Sequence, residues 1–148
     1  MNQDAQLLLL FHCDDDEFAI ACRDIVEVMP VIDLASPNNA SPSVIGNMDY
    51  HGSQVAIADF SEWMTGNKGT RLLSTRIILL QSTVDKHCRI GIIAELATQT
   101  ITVPESAFSS YDTAPPNDYS KIKVTLDDRI IQLIDTETIF NTIHRATP

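Results

Sequence analysis

The sequence predicts a mainly β protein built as two packed five-stranded β-barrels with short helices. Three observations lead there. Ile, Val and Thr together make up 38 of the 148 residues, against 12 Leu. Branching at Cβ stiffens χ1 and suits a pleated surface better than a helix. Short apolar runs alternate with turn signals along the whole chain, and the order of runs in the first half recurs in the second.

The first hairpin is Leu7–Cys13, the turn Asp14-Asp15-Asp16, and the return Glu17–Cys22, with Phe18 and Ile20 on one face. Arg23–Met29 reads as a single helical turn leading into an extended piece through Pro30 to Leu34. Ala35–Ser43 carries two prolines and two asparagines and is a loop. Val44–His51 and Gln54–Phe60 form a second hairpin around Gly52-Ser53. Ser61–Gly66 is a short helix, with Ser61 as its cap and Gly66 as its end. Asn67–Leu73 is a loop.

A similar series follows. Thr75–Gln81 and Cys88–Ala94 are strands around the turn Ser82–His87, and Ala97–Val103 is a third strand, ending at Pro104. Glu105–Asp118, with Pro115-Pro116, is a loop. Tyr119–Leu126 and Arg129–Ile134 are a hairpin around Asp127-Asp128, and Asp135–His144 is a closing helix.

The halves echo one another in detail. Phe18-Ala19-Ile20 matches Ile90-Gly91-Ile92 at an offset of 72. Val55–Asp59 matches Ile131–Asp135 at 76, and Pro30 matches Pro104 at 74. Five short strands cannot bury both faces as an open sheet, and closure into a barrel removes the edges. One domain over 1–148 is therefore expected, with approximate lobes 7–66 and 75–143 and room for strand exchange between them. Packing two lobes together lets each borrow core from the other.

Charge and composition exclude several function classes. Twenty acidic residues against ten basic ones leave a net charge of −10. That opposes nucleic-acid binding, which rests on Lys and Arg meeting phosphates, and opposes an anionic membrane surface. The longest unbroken apolar run, Leu7 to Phe11, is far short of the roughly 20 residues a membrane helix needs. The start Met-Asn-Gln-Asp-Ala-Gln has no basic region of a secretory signal, so the cytosol is the expected compartment.

Chemistry-bearing motifs are scarce. No glycine-rich phosphate loop, nucleophile elbow or His-Glu-x-x-His pattern occurs. Cys13, Cys22 and Cys88 are an odd number in no Cys-x-x-Cys spacing, and read as reduced, mostly buried small hydrophobes. His12–Cys13 and His87–Cys88 are adjacent pairs, and strand neighbours point to opposite faces, so neither pair easily chelates one metal. A site joining Cys13, Cys22 and His12, or a Cys–His nucleophile assembled in space, is the competing reading. No metal and no cofactor is expected. The Asp14–Glu17 run is read as a solvated hairpin tip, and Trp63 and Met64 as packing between the lobes.

Phe18-Ala-Ile, Ile25-Val26-Glu27-Val28, Pro42-x-Val44-Ile45-Gly46 and His51-Gly52-x-x-Val55-Ala-Ile57-Ala-Asp59 stand in a recognisable order. Arg76–Leu79, Arg89–Ile93 and Asp128–Asp135 continue it. The chain from about Leu8 to Ile139 resembles the CheW-like family of chemotaxis coupling proteins. The resemblance implies two SH3-like barrels around a shared core. It implies a non-catalytic adaptor between a chemoreceptor's cytoplasmic hairpin tip and the regulatory domain of a CheA-type histidine kinase. Such a protein is cytoplasmic, recruited to receptor complexes at the inner membrane without insertion, and is a monomer or weak dimer. By family position, Ile25, Glu27, Val28, Gly46, Asn47 and His51 are the partner-binding residues.

Departures from the family pattern fall at three places. Asp49-Tyr50-His51-Gly52 replaces the family's Asn-Leu-Arg-Gly, Ala56 stands at a Pro position, and Ala94-Glu95-Leu96-Ala97 weakens an Asp-x-Val loop. In the family the Arg can pair with the Glu that is Glu27 here. Glu27 and His51 are therefore expected to interact, with a charge that depends on pH. A divergent scaffold of an auxiliary chemosensory system, governing surface behaviour or gene regulation, is the alternative. A small-ligand-binding or enzymatic β-barrel is the alternative of another class.

Overall fold

The computed structural model describes residues 5–32, 34, 44–67, 73–111 and 119–145, with side chains to 143. The expected loops over 35–43 and around 115–116, most of the loop over 67–73, and Pro42 of the family motif lie outside these residues. Ten strands and two helices follow in chain order. They are β1 (Ala5–Cys13), β2 (Asp16–Ala21), β3 (Ile25–Pro30), β4 (Gly46–Tyr50), β5 (Ser53–Asp59), α1 (Phe60–Thr65), β6 (Arg76–Gln81), β7 (Arg89–Pro104), β8 (Phe108–Ser110), β9 (Ser120–Leu126), β10 (Arg129–Ile134) and α2 (Thr136–Arg145). Short 3₁₀ turns, Cys22–Asp24 and Glu105–Ala107, precede β3 and β8. Among the described residues, no helix is long and apolar enough to cross a membrane.

The strands form one sheet in the order β3-β6-β7-β1-β2-β10-β9-β8, with β5 pairing both β4 and β7. Among the described residues the ladders join the strands of the two expected barrels in one sheet, which they do not close. The reason lies in β7. The sequence reads it as two strands, Cys88–Ala94 and Ala97–Val103, but it is one strand of 16 residues. Its first part pairs with β5 and β6, and its second part with β1. Leu96, at φ 54°, marks the irregularity between the two parts.

The internal echo is visible in the pairing. Phe18 and Ala19 lie parallel to Gln132 and Leu133, and Ile90 and Gly91 lie parallel to Ala56 and Ile57. The offsets of 72 and 76 carry one ladder onto the other, residue for residue. Pro30 and Pro104 also end equivalent ladders, opposite Arg76 and Ala5, the first residues of β6 and β1. Each parallel ladder joins strands from the two halves of the sequence, so the strands of 7–66 and 75–143 interleave.

Three cores result. Leu8, Leu10, Ala19, Val103, Val124 and Ile131 pack within one sheet half, and Met48, Val55, Ile57, Ile77, Leu79 and Ile93 within the other. Leu9, Phe11, Phe18, Ile20, Ile78, Leu80 and Ile92 face a larger core between them, covered by Phe60, Ile139 and Phe140 from the helices. Alternate residues of one strand thus feed different cores. This explains the continuous apolar runs Leu8–Phe11 and Ile77–Leu80, which a sheet with one wet face would not carry. Each such Leu or Ile contributes about 1.5–3 kcal/mol by burial.

Helix α1 begins one residue earlier than expected. Its cap is Asp59, whose Oδ1 accepts from the backbone N–H groups of Ser61 and Glu62. Ser61 is instead buried within the helix. Gly66 ends the helix at φ 80° in the left-handed conformation that favours glycine.

Candidate functional site: an edge strand and its hairpin buttress

Strand β3 is rich in β-branched residues and pairs with β6 on one side. Among the described residues its other side carries no ladder. The register shifts between Ile25 and Glu27, which places Val26 at a bulge. Ile25 reaches the central core, whereas Val26, Glu27 and Val28 are exposed. Val26 and Val28 expose 36% and 38% of their surface, so the strand offers two apolar side chains beside a carboxylate. Its entry is tied down by Thr136, which donates to Asp24 Oδ2 at 2.8 Å.

Strands β4 and β5 meet in a two-residue turn, with Tyr50 opposite Ser53. His51 and Gly52 occupy the turn at φ 53° and 90°. Positive φ at both positions is the geometry whose twist matches a right-handed hairpin. His51 is accordingly exposed and points out of the ladder. Gly46 and Asn47 are buried, opposite Ile57 and Ala56.

The expected Glu27–His51 pair does not form. Tyr50 takes the carboxylate, its hydroxyl donating to Glu27 Oε1 at 2.9 Å. A residue in the turn projects outward, while the last residue on the strand projects along the sheet face, toward β3. The His51 ring meets the edge of the Tyr50 ring at 4.3 Å between centroids. The Arg89 guanidinium lies over the same ring, 5.8 Å from its centroid. The bond to Glu27 holds the Tyr50 phenol above its ordinary range.

Of the six residues expected to contact partners, Ile25, Glu27 and Val28 share one strand, His51 caps the neighbouring hairpin, and Gly46 and Asn47 lie beneath. Tyr50 and Arg89 were not among them. The signal for Tyr50 is its position one residue before a Gly-containing turn, which keeps it on the strand. Arg89 carries no local signal, because it comes here through the pairing of β7 with β5.

Cys13 is buried, with its thiol 3.8 Å from Ser61 Oγ. Burial pushes the Cys13, Cys22 and Cys88 thiols upward, toward the protonated form that attacks poorly. His12 lies 3.9 Å from Glu17. No cluster of three His, Cys, Asp or Glu side chains suited to a metal exists among the described residues. Trp63 stacks on Tyr119 at 5.3 Å and packs against the central core. In a cavity of about 480 Å³ at the start of α2, Asp24, Asp135 and Glu137 are held by Thr136, Lys121 and the Ser82–Thr83 turn.

Fold and site together define a ten-stranded β protein with an exposed apolar edge buttressed by a hairpin. The CheW-like domain family model matches residues 7–144, and the chain belongs to that family. A solved structure, the scaffolding protein TtCheW from Thermoanaerobacter tengcongensis, is similar with a TM-score of 0.77. The likeness covers 90% of this chain and 86% of that one at 15% identity, and it concerns the fold. No curated protein sequence matches.

Proposed function

We propose that this protein is a non-catalytic adaptor that couples chemoreceptors to a CheA-type histidine kinase. The observation that carries this reading is the family match over 7–144. The name of the solved relative, a scaffolding protein, supports it. So does the edge of β3, since an exposed strand edge with apolar side chains is a ready surface for another chain. In this reading Glu27, Val28 and His51 face partners, Ile25 anchors β3 to the core, and Gly46 and Asn47 hold β4 in place behind them. The protein works in the cytoplasm as a monomer or weak dimer, because transient signalling contacts are small. Tyr50-His51 in place of Leu-Arg favours a divergent system with its own choice of partner.

The test is co-purification with the kinase regulatory domain and with the receptor hairpin tip of the same organism. Capture of both is the expected result. Capture of neither by the wild-type protein sinks the adaptor reading.

A further inference from the structure

The internal echo exposes a missing partner. In the first sheet half, Glu17 stands just before the parallel β2–β10 ladder. Arg129 grips its carboxylate with two hydrogen bonds, of 2.9 and 2.6 Å. The offsets of 72 and 76 carry Glu17 onto Arg89 and Arg129 onto Ser53. The second half therefore has a cation where the first has the acid, and a neutral hydroxyl where the first has the acid's partner. Among the described residues, no carboxylate lies within ion-pair distance of Arg89.

Arg89 is nevertheless held in place. Its guanidinium sits over the Tyr50 ring, and Tyr50 is anchored to Glu27. A contact to a ring face orients the group and leaves its N–H donors uncommitted. The residue is exposed. In a chain with 20 acidic residues, a fixed cation without a carboxylate is a specific arrangement.

Arg89 lines a cleft of about 250 Å³ with Tyr50, Ser53, Gln54 and His87. Arg89, Ser53, Gln54 and His87 can each donate a hydrogen bond, the Tyr50 hydroxyl being committed to Glu27, and no Asp or Glu lines the cleft. Asp49, opposite Gln54, and Asp85, which accepts from the backbone N–H of His87, stand outside it. The volume is below the roughly 300–1,000 Å³ of small-molecule pockets and suits a single side chain.

We propose that this cleft receives an Asp or Glu side chain of a partner protein. Arg89 then makes across the interface the two-point ion pair that Arg129 makes with Glu17 inside the chain. The proposal rests on the adaptor reading and adds the chemistry of one contact to it.

The test is a set of dissociation constants for the kinase regulatory domain and the receptor hairpin tip. They are measured for the wild type, Arg89→Gln, Arg89→Glu and Arg89→Lys at several salt concentrations. Arg89→Gln should weaken one partner by about tenfold and flatten its salt dependence. Arg89→Glu should weaken it further, and Arg89→Lys should keep the salt dependence with part of the affinity. Unchanged unfolding midpoints confirm that the variants are folded. If the wild type binds and Arg89→Glu binds both partners equally well, the Arg89 contact is overturned and the adaptor reading stands. If the wild type binds neither, both fall.

Discussion

The hydroxyl of Tyr50 donates to Glu27 Oε1 at 2.9 Å, joining the β4–β5 hairpin to the exposed edge of β3. The bond spans 23 residues of sequence and ties a neutral donor to a carboxylate, where the family pattern has a guanidinium. Its strength is largest while the phenol is protonated. Tyr50 should therefore titrate above the ordinary 10.0 of a tyrosine, and Glu27→Gln should bring it down. Spectrophotometric titration against a Tyr50→Phe reference isolates this group. An unchanged titration in Glu27→Gln would show that the bond is not made in solution.

The ion pair of Glu17 and Arg129 sets a component of acid stability. Arg129 holds the Glu17 carboxyl below its ordinary value of 4.5, chiefly through the direct hydrogen bond. A depressed carboxylate stabilises the fold above its unfolded pKa. That contribution is lost as the pH falls through the folded pKa, so the window lies below about 4.5. The pair is largely wet, and about 1 kcal/mol or less is at stake. Arg129→Gln should lower stability near neutrality by that amount and flatten the acid limb of a denaturation series. Parallel curves for the two proteins would remove the contribution.

Gly91 sits where β7 crosses between β5 and β6. A Cβ there would stand 2.6 Å from Ile57 Cδ1 and 3.1 Å from Ile77 Cγ2. Both isoleucines are fully buried and have little room to move. Gly91→Ala should cost about 1–3 kcal/mol through overpacking. Ile57→Val removes the closer methyl, so the double variant should be more stable than the sum of the single losses allows. Additive losses in urea unfolding would contradict the contact.

Gly46 was expected at the partner surface, but it is buried opposite Ile57 in the β4–β5 ladder. Gly46→Arg therefore puts a charged side chain at a buried position. The cost should be about 3 kcal/mol or more, visible as a lowered unfolding midpoint before any partner is added. A midpoint equal to that of the wild type would return Gly46 to the surface role.

Much of the fold is written locally. The hairpins at Asp14–Asp16 and Asp127-Asp128 and the helix ending at Gly66 follow from turn chemistry and from the alternation of apolar residues. The family pattern is readable for the same reason, since it consists of apolar runs in a fixed order. The echo between the halves is also legible, and its offsets describe real equivalences between ladders. Local signals fail where two elements merge: nothing around Glu95-Leu96 says that β7 continues through it, because a bulge and a turn use the same residues.

What the sequence determined by itself is most of the strands and their order, and the candidate edge of Ile25, Glu27 and Val28; it missed β8, inside the expected loop Glu105–Asp118, and the continuity of β7. Only the tertiary structure decided which strands pair, that the ladders join in one sheet, and that Glu27 meets Tyr50 rather than His51. Strand identity depends on neighbours two residues apart. Partners depend on ladders between segments as distant as Glu17 and Arg129, separated by 112 residues. A shift of one position about a turn sends a side chain to solvent or to the adjacent strand. That difference separates His51 from Tyr50, and it sets the Tyr50 ring under the Arg89 guanidinium.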